Sequence, residues 1–227
     1  MTTFVIPSAA PTVLAVSGGG QFPVRRIFCV GQNYADHARE MGGDPDRAPP
    51  FFFTKPTDAV ISSDKVPFAP ATNRLDYEGE LVVCLASGGA DIPVEKANDL
   101  IYGYAVGCDL TRRDLQAEAK KAGRPWDMAK GFDASAAIGS VVAAAKIGHP
   151  AKGAITLAVN GAEKQKGDLD QMIWSIPEII ATLSNFVTLA AGDLIFTGTP
   201  AGVGPLAKGD TVDIAVAGIG THSFTLI

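Results

Sequence analysis

At 227 residues, the chain is long enough to form one large or two small domains and to bury a sizeable core. Apolar residues make up 47% of it and charged residues 19%, which indicates a globular rather than a disordered protein. The net charge is −5 and no Lys/Arg cluster exceeds a pair, which argues against nucleic acid as the main partner.

The cysteines and the longest apolar region bear on the cellular compartment. Cys29, Cys84 and Cys108 are far apart and lie in apolar runs, so we expect reduced core thiols. The N-terminus lacks the basic and apolar stretches of a signal peptide. Residues 176–196 are too often interrupted by polar residues to span a membrane. These features predict a cytoplasmic protein without a membrane partner.

The first elements are a small arm and a short helix. Residues 1–24 are rich in Pro, Ala and Gly and are predicted to form an N-terminal arm, ahead of a main domain over 25–227. Residues 26–30 predict a buried strand. A helix of about two turns is expected to follow, with Asn33 as its N-cap and Gly42 just beyond its end.

On this helix, His37 and Glu40 are three positions apart and share a face. A carboxylate that holds an imidazole in one tautomer is how a general base is oriented. The alternative is an ordinary surface pair, because such exposed pairs are common and weak.

Residues 51–55 are three phenylalanines, a threonine and a lysine before a proline, which predicts a buried edge strand ending at a turn. Lys55 at its end would face either a substrate anion or solvent.

The segment 76–85 carries two acids at the start of a strand that is apolar on both faces from Leu81 onward. Side chains alternate along a strand, so Glu78 and Glu80 point to the same side. Their repulsion would be offset by a divalent cation, unless the strand end is open and both acids are solvated. Residues 101–108 predict a second buried strand, which ends in Asp109. Three carboxylates without Cys or His favour Mg²⁺, Mn²⁺ or Ca²⁺ over zinc.

Residues 111–114 fit a capping box that opens a helix to about Ala122. Arg113 and Gln116 share one face of this helix. In the mixed-charge loop 123–133, Lys130 is either a positioned cation or a solvated surface lysine.

The remainder of the chain predicts strands, one helix and a glycine-rich loop. The strands are expected at 155–159, 194–197 and 212–216, with a hairpin turn at Asn160-Gly161 and a capped helix from Ser175 to about Phe186. The loop 197–205 lacks the ending of a phosphate-binding P-loop, so nucleotide binding is not favoured, although its backbone N–H groups could receive a carboxylate. His149 and His222 have no acidic partners at useful spacing in the sequence, so we expect them to have structural or surface roles.

Taken together, six ordered motifs resemble those of the fumarylacetoacetate hydrolase family, over nearly the whole chain from about Arg26 to Phe224. The motifs are residues 31–37, 76–81, 103–109, 111–116, 130–133 and 197–204. The resemblance implies a mainly β fold with some α structure (α+β), a mixed β-roll of the family's C-terminal domain type, assembled as a homodimer.

The same resemblance assigns roles to particular residues. It implies Mg²⁺ or Mn²⁺ on Glu78, Glu80 and Asp109, and it makes His37 and Glu40 a water-activating dyad. It also implies a catalytic lysine at Lys130 and substrate-binding residues at Arg113, Gln116 and Thr199; we add Lys55 as a further substrate-binding candidate. Gln32 departs from the family, which commonly has Arg there.

Within the family, residues 49–56 and 123–126 look most like those of fumarylpyruvate hydrolases. The expected function is metal-dependent hydrolysis of a 2,4-dioxo acid, giving fumarate and pyruvate in gentisate catabolism. The alternatives are an oxaloacetate-type decarboxylase or a 2-oxo-diacid isomerase of the same family. A catalytically silent metal- or ligand-binding protein is the alternative from another class.

Overall fold

The computed structural model describes residues 5–42 and 48–227. Within these ranges the chain is mainly β, with five short α-helices and three 3₁₀ helices. The strands are β1 (Val13–Ala15), β2 (Gln21–Pro23), β3 (Arg26–Gly31), β4 (Phe51–Lys55), β5 (Val60–Ile61), β6 (Lys65–Val66), β7 (Leu75–Tyr77), β8 (Gly79–Leu85), β9 (Ile101–Asp109), β10 (Thr111–Arg112), β11 (Ala136–Ile138), β12 (Val142–Ala143), β13 (Ala154–Val159), β14 (Ala162–Asp168), β15 (Asp193–Phe196), β16 (Gly204–Leu206), β17 (Thr211–Val216) and β18 (Gly220–Leu226). The α-helices are α1 (Ala35–Glu40), α2 (Arg113–Ala122), α3 (Asp127–Lys130), α4 (Ala144–Ile147) and α5 (Ile176–Ser184), and the 3₁₀ helices are Thr57–Ala59, Val94–Leu100 and Leu169–Gln171.

Two large sheets dominate the fold. The eight-stranded sheet has the order β4-β3-β15-β8-β9-β11-β5, with β12 also paired to β9, and the five-stranded sheet has the order β14-β13-β17-β18-β6. A three-stranded sheet, β10-β7-β16, and the β1-β2 hairpin complete the described part. The predicted fold class, a mainly β roll with some α structure, is confirmed.

The centre of the eight-stranded sheet is buried on both faces, as the apolar run after Glu80 predicts. Leu81, Val83 and Leu85 belong to the core cluster that also contains residues of the five-stranded sheet. Val82 and Cys84 face the opposite side, in the cluster that the β1-β2 hairpin helps to cover. The predicted arm is therefore packed against the sheet, and a domain boundary at residue 24 stays a prediction.

Two of the predicted helix caps are wrong. Tyr34, not Asn33, precedes the first turn of α1, and the Asn33 amide instead donates to the backbone oxygens of Trp174 and Thr197. Helix α2 has no side-chain cap, because the Thr111 hydroxyl donates to the backbone oxygen of Asp109. Asn33 thus joins distant segments, and Thr111 bonds to the strand end just before it, so neither side chain caps its helix.

Other local predictions hold. Gly42 and Gly123 follow α1 and α2 with φ of 72° and 61°, and Asn160 and Gly161 both have positive φ in the β13-β14 turn. Glu178 accepts a hydrogen bond from the backbone N–H of Ser175 and so caps α5.

The aromatic strand and the loop after α2 differ from prediction. Strand β4 lies at the edge of its sheet but is not buried: Phe51 is 40% exposed, and along the strand Lys55 alone is buried. Residues 127–130, predicted as part of a loop, form the single turn α3.

The thiols of Cys29, Cys84 and Cys108 are free and buried, and burial raises the pKa of each, as expected of core residues. Across the described ranges, none of the helices has the length and apolar character that a membrane span requires.

Candidate active site

Three carboxylates meet where β8 begins and β9 ends. Antiparallel pairing of Gly79 with Cys108 brings these strand ends together, and the N–H of Asp109 donates to the backbone oxygen of Glu78 at 2.8 Å. One oxygen from each of Glu78, Glu80 and Asp109 lies within 4.8 Å of the others. The three residues are 5%, 2% and 0% exposed, which excludes the solvated strand end.

Neighbouring charges act differently on the two glutamates. Burial raises the pKa of Glu80, and repulsion from Asp109 and Glu78 raises it further. Burial also acts to raise the pKa of Glu78, but the attraction of Lys130 and Arg113 outweighs it, so the net shift is downward. Glu78 is therefore held in its ionised form.

Lys130 lies inside the cluster and is 2% exposed, so the solvated-lysine alternative is wrong. Its Nζ donates to Glu78 Oε2 and Asp109 Oδ2, both at 2.7 Å, and to Thr111 Oγ1 at 2.6 Å. Burial acts to lower its pKa, but Asp109 and Glu78 outweigh burial and the net shift is upward. The ammonium is therefore held charged, with three acceptors around it.

Lys55 is not exposed to solvent, so the solvent alternative is wrong, whereas its role in substrate binding stays a prediction. Its side chain is fully buried, and Nζ lies 2.7 Å from Asp109 Oδ1. It also donates to the backbone oxygens of Leu110 and Lys130. Lys55 thus supports Asp109 and the turn that carries Lys130 from beneath the cleft.

Arg113 and Gln116 are joined as the helical spacing predicts. Arg113 donates to Gln116 Oε1 at 2.6 Å, to Glu78 Oε1 at 2.6 Å and to Asp76 Oδ2 at 2.8 Å. Asp76 is fully buried and was not recognised as a site residue from the sequence. Asp76 could have been recognised because it is the first residue of the acidic segment 76–85.

His37 and Glu40 form the predicted pair. Nδ1 of His37 lies 3.2 Å from Glu40 Oε2, and the backbone N–H of Gly202 donates to both oxygens of Glu40. His37 is buried, whereas the Glu40 side chain is 33% exposed. With Glu40 accepting from Nδ1–H, Nε2 is the ring nitrogen left to accept a proton.

The glycine-rich loop receives carboxylates of the protein itself. The N–H of Gly198 donates to Glu80 Oε2 at 2.7 Å, alongside the Gly202 bond to Glu40. Thr199 donates to the backbone oxygen of Gly79 and accepts from Gln165 Nε2, each at 2.8 Å. Gln165 also accepts from the N–H of Gly79. Nothing in the polar run around Gln165 marks it in the sequence.

Most of these groups line a single open cleft. It brings together seven of the predicted site residues: His37, Glu78, Glu80, Arg113, Gln116, Lys130 and Thr199. Phe51, Phe53 and Trp126 form its aromatic wall, and Gln32, Met41 and Lys120 also line it. Glu40, Asp109 and Lys55 are not among the lining residues, but they contact two residues that are, His37 and Lys130.

The residues fit a hard divalent cation. The cluster offers carboxylate oxygens without a thiolate or imidazole, which suits Mg²⁺ or Mn²⁺. Asp109 Oδ1 accepts no hydrogen bond from the described residues, although it is ion-paired with Lys55. A buried carboxylate oxygen without a hydrogen bond is a ready metal ligand.

The fold and the site define a recognised family. Residues 26–227 match the fumarylacetoacetate (FAA) hydrolase C-terminal family, and the chain therefore belongs to it. The crystal structure of fumarylpyruvate hydrolase from Pseudomonas aeruginosa, in complex with Mn²⁺ and pyruvate, is 47% identical with a TM-score of 0.97 and covers 99% of both chains.

Two other relatives are named for an activity other than fumarylpyruvate hydrolysis. The mitochondrial oxaloacetate tautomerase of Homo sapiens is 41% identical over 88% of this chain and 90% of its own length. An oxaloacetate tautomerase of Escherichia coli is 39% identical over 90% of this chain and 92% of its own.

Proposed function

We propose that this chain is a divalent-metal-dependent hydrolase that cleaves a C–C bond of a 2,4-dioxo acid, with fumarylpyruvate, split into fumarate and pyruvate, as the substrate. The observation that carries the proposal is the His37–Glu40 pair, whose imidazole lines the same cleft as Glu78 and Glu80 of the buried carboxylate cluster. A hydrolase needs both a base for water and a means to stabilise the carbanion that leaves, and this cleft provides for both.

In this proposal Glu78, Glu80 and Asp109 hold Mg²⁺ or Mn²⁺. When bound, the cation would polarise the oxo groups of the substrate and offset negative charge on the leaving fragment. Lys55 contacts Asp109 and so helps to hold its carboxylate in place at the cluster.

His37 acts as the general base. Nε2 takes a proton from water, Glu40 stabilises the resulting imidazolium through Nδ1–H, and Gly202 holds Glu40. The water oxygen bonds to C4 of the substrate, the C3–C4 bond breaks, and its electron pair stays on C3 as the enolate of pyruvate. The proton held on His37 Nε2 is transferred to C3, which completes pyruvate and restores the base, and the C4 fragment leaves as the carboxylate.

The remaining lining residues bind and orient the substrate. Arg113 and Gln116 hold the carboxylate of the pyruvyl part. Thr199, whose hydroxyl donates to the backbone oxygen of Gly79, contacts an oxo group through its backbone N–H. Lys130 contributes positive charge close to where the enolate oxygen forms. The Mn²⁺ and pyruvate bound by the Pseudomonas aeruginosa relative support this arrangement. We place the activity in the cytoplasm, in the breakdown of aromatic compounds such as gentisate.

The second candidate is action on oxaloacetate, as a tautomerase or decarboxylase. The observation that favours it is the activity named for the human and Escherichia coli relatives. Oxaloacetate has the same pyruvyl end. Its decarboxylation gives the enolate of pyruvate and its tautomerisation an enolate of oxaloacetate, and neither reaction needs an attacking water. The arrangement of Lys130, Arg113 and Gln116 is compatible with both substrates.

A substrate panel separates these candidates. Protein stripped of metal with a chelator is resupplied with Mg²⁺ or Mn²⁺ and given fumarylpyruvate, acetylpyruvate or the enol form of oxaloacetate. We expect metal-dependent release of pyruvate from the acylpyruvates at a higher kcat/KM than any oxaloacetate reaction. Turnover of oxaloacetate alone would transfer the assignment to the second candidate, and metal binding without any turnover would indicate a silent binding protein.

We also propose that the chain assembles as a homodimer, as the family resemblance implies. Light scattering at micromolar concentration is expected to give twice the protomer mass of 23.5 kDa. A mass equal to that of one protomer would refute the assembly.

A further inference from the structure

Helix α2 presents three polar side chains to the cleft. Arg113, Gln116 and Lys120 all line it, and their spacing of three and then four residues places them on one helical face. Arg113 and Gln116 stand at the end occupied by the carboxylate cluster, and Lys120 stands one turn further along. One face of α2 thus presents hydrogen-bond donors along the cleft, at increasing distance from the carboxylate cluster.

Lys120 differs from the other cations of the cleft in its partners. Arg113 and Lys130 are each hydrogen-bonded to carboxylates. Among residues 5–42 and 48–227, the bond of the Lys120 ammonium is a long one, 3.4 Å to the backbone oxygen of Met41, and no carboxylate pairs with it. An ammonium facing a binding cleft without a counter-charge is a receptor for an anion.

The spacing along α2 matches the length of a dicarboxylic acylpyruvate. At about 1.5 Å of rise per residue, Lys120 lies roughly 6 Å beyond Gln116 and roughly 10 Å beyond Arg113 along the helix axis. A seven-carbon diacid has six bonds between its carboxyl carbons, or about 7 Å at roughly 1.2 Å per bond of an extended chain. With one carboxylate at Arg113 and Gln116, the other comes within reach of Lys120.

The aromatic wall of the cleft suits an unsaturated carbon chain. Phe51, Phe53 and Trp126 line the cleft, and the Trp126 ring packs against both phenylalanines with ring centroids 5.5 Å and 5.8 Å away. Such a wall offers apolar contact to the carbons and no competing charge to the distal carboxylate.

We propose that Lys120 binds the distal carboxylate of a dicarboxylic acylpyruvate and so makes the cleft selective for diacids over neutral acyl groups. The proposal rests on the proposed function, because it takes the pyruvyl end to be held at Arg113 and Gln116. It makes Lys120 a specificity-determining residue that binds a group remote from the bond being cleaved.

The test compares two substrates in matched variants. Fumarylpyruvate carries the distal carboxylate and acetylpyruvate lacks it, so the ratio of their kcat/KM values isolates the contribution of that group. Lys120→Met is expected to lower this ratio about tenfold, the scale of one charge-assisted hydrogen bond, chiefly through KM for fumarylpyruvate. Lys120→Glu should lower it further through repulsion, and Lys120→Arg should restore most of it.

Lys121→Met is the control, because Lys121 is exposed in the same last turn of α2 and does not line the cleft. It removes one positive charge from this turn and is expected to keep the wild-type ratio. Circular dichroism checks that each variant is folded.

The outcomes are distinguishable. A wild type that cleaves neither acylpyruvate would overturn the proposed function and this inference with it. A wild type that hydrolyses acylpyruvates without preferring the diacid, or an unchanged ratio in Lys120→Met, would overturn the role of Lys120 and leave the hydrolase assignment standing.

Discussion

The backbone N–H of Gly202 donates to both carboxylate oxygens of Glu40, at 3.2 Å each, across 162 positions of the chain. Gly202 has a φ of 97°, and a Cβ at this position would lie 2.2 Å from the backbone oxygen of Lys164. The loop can therefore approach Glu40 because this residue is glycine. The acid that orients His37 is thus held by its own helix and by a loop near the other end of the chain.

This relationship leads to a prediction for His37→Ala. We expect acylpyruvate cleavage to fall about 10²- to 10⁴-fold, the usual scale for loss of a general base. Any decarboxylation of oxaloacetate should fall much less, because that reaction takes no proton from water. Both substrates are assayed on the purified variant with saturating metal.

Arg39→Ala provides the control for His37→Ala, since Arg39 is exposed on the same short helix and pairs with Asp36. It should retain cleavage activity. Equal losses on both substrates in His37→Ala would mean that His37 positions the substrate or the metal rather than activating water.

Glu80→Ala is expected to abolish divalent-metal binding and activity while leaving the fold largely intact. The variant removes one of three oxygen ligands, and it also relieves repulsion from Asp109 and Glu78. Isothermal calorimetry with Mn²⁺ measures the affinity, and circular dichroism measures the fold. Glu80→Gln keeps an acceptor for the Gly198 N–H and serves as the shape-matched control. Unchanged Mn²⁺ affinity in Glu80→Ala would remove Glu80 from the metal site.

Lys55→Met should destabilise the metal-free protein by about 3–5 kcal/mol, because it leaves the buried Asp109 carboxylate with one cation fewer. Urea unfolding measures the loss. The difference from wild type should shrink with saturating Mn²⁺, which offsets the same charge. Lys65→Met, at an exposed position in β6, should change stability by less than about 0.5 kcal/mol. A loss as small as that of the control would show that Lys55 is not needed to balance Asp109.

Asp114 gives a stability prediction that depends on pH. Partial burial acts to raise its pKa, but hydrogen bonds from the Thr72 hydroxyl and the Asn73 N–H outweigh burial, and the pKa lies below its ordinary value. A lowered pKa in the folded state adds stability above the unfolded value of about 3.9, and this stability is lost as pH falls through the folded pKa.

Wild type should therefore exceed Asp114→Asn in unfolding free energy at pH 6, and the gap should close as pH falls below about 4. Urea unfolding across this range measures it. Asp99→Asn, at an exposed site, controls for the loss of one surface charge. A gap independent of pH would assign the effect to packing rather than to ionisation.

The sequence predicts those parts of the site that depend on local spacing. Arg113 with Gln116, and His37 with Glu40, pair through the i, i+3 geometry of a helix. Glu78 and Glu80 share a side because a strand alternates, and the buried runs after them predict β8 and β9. These relationships depend on the few residues around each position.

The rest depends on tertiary pairing. Lys55 follows an aromatic run whose pattern gives no sign that its ammonium ends beneath Asp109. Gln165 lies in a mostly exposed strand, and its role follows from the approach of the 197–202 loop. Asn33 and Thr111 have the composition of caps, yet the tertiary structure uses them as links between segments. These contacts join residues far apart in the chain, so the local pattern around each residue does not predict them.

The position of β15 has a consequence for how the protein is made. It pairs with β3 on one side and β8 on the other, so it joins two parts of the sheet that are synthesised much earlier. Until residues 193–196 leave the ribosome, the β3-β4 and β8-β9 ladders each carry an open edge. Glu80 also lacks its Gly198 donor in that interval. A chain terminated before β15 would therefore have two partial sheets with unpaired edge strands, which favour aggregation, and it would not form a smaller version of the fold.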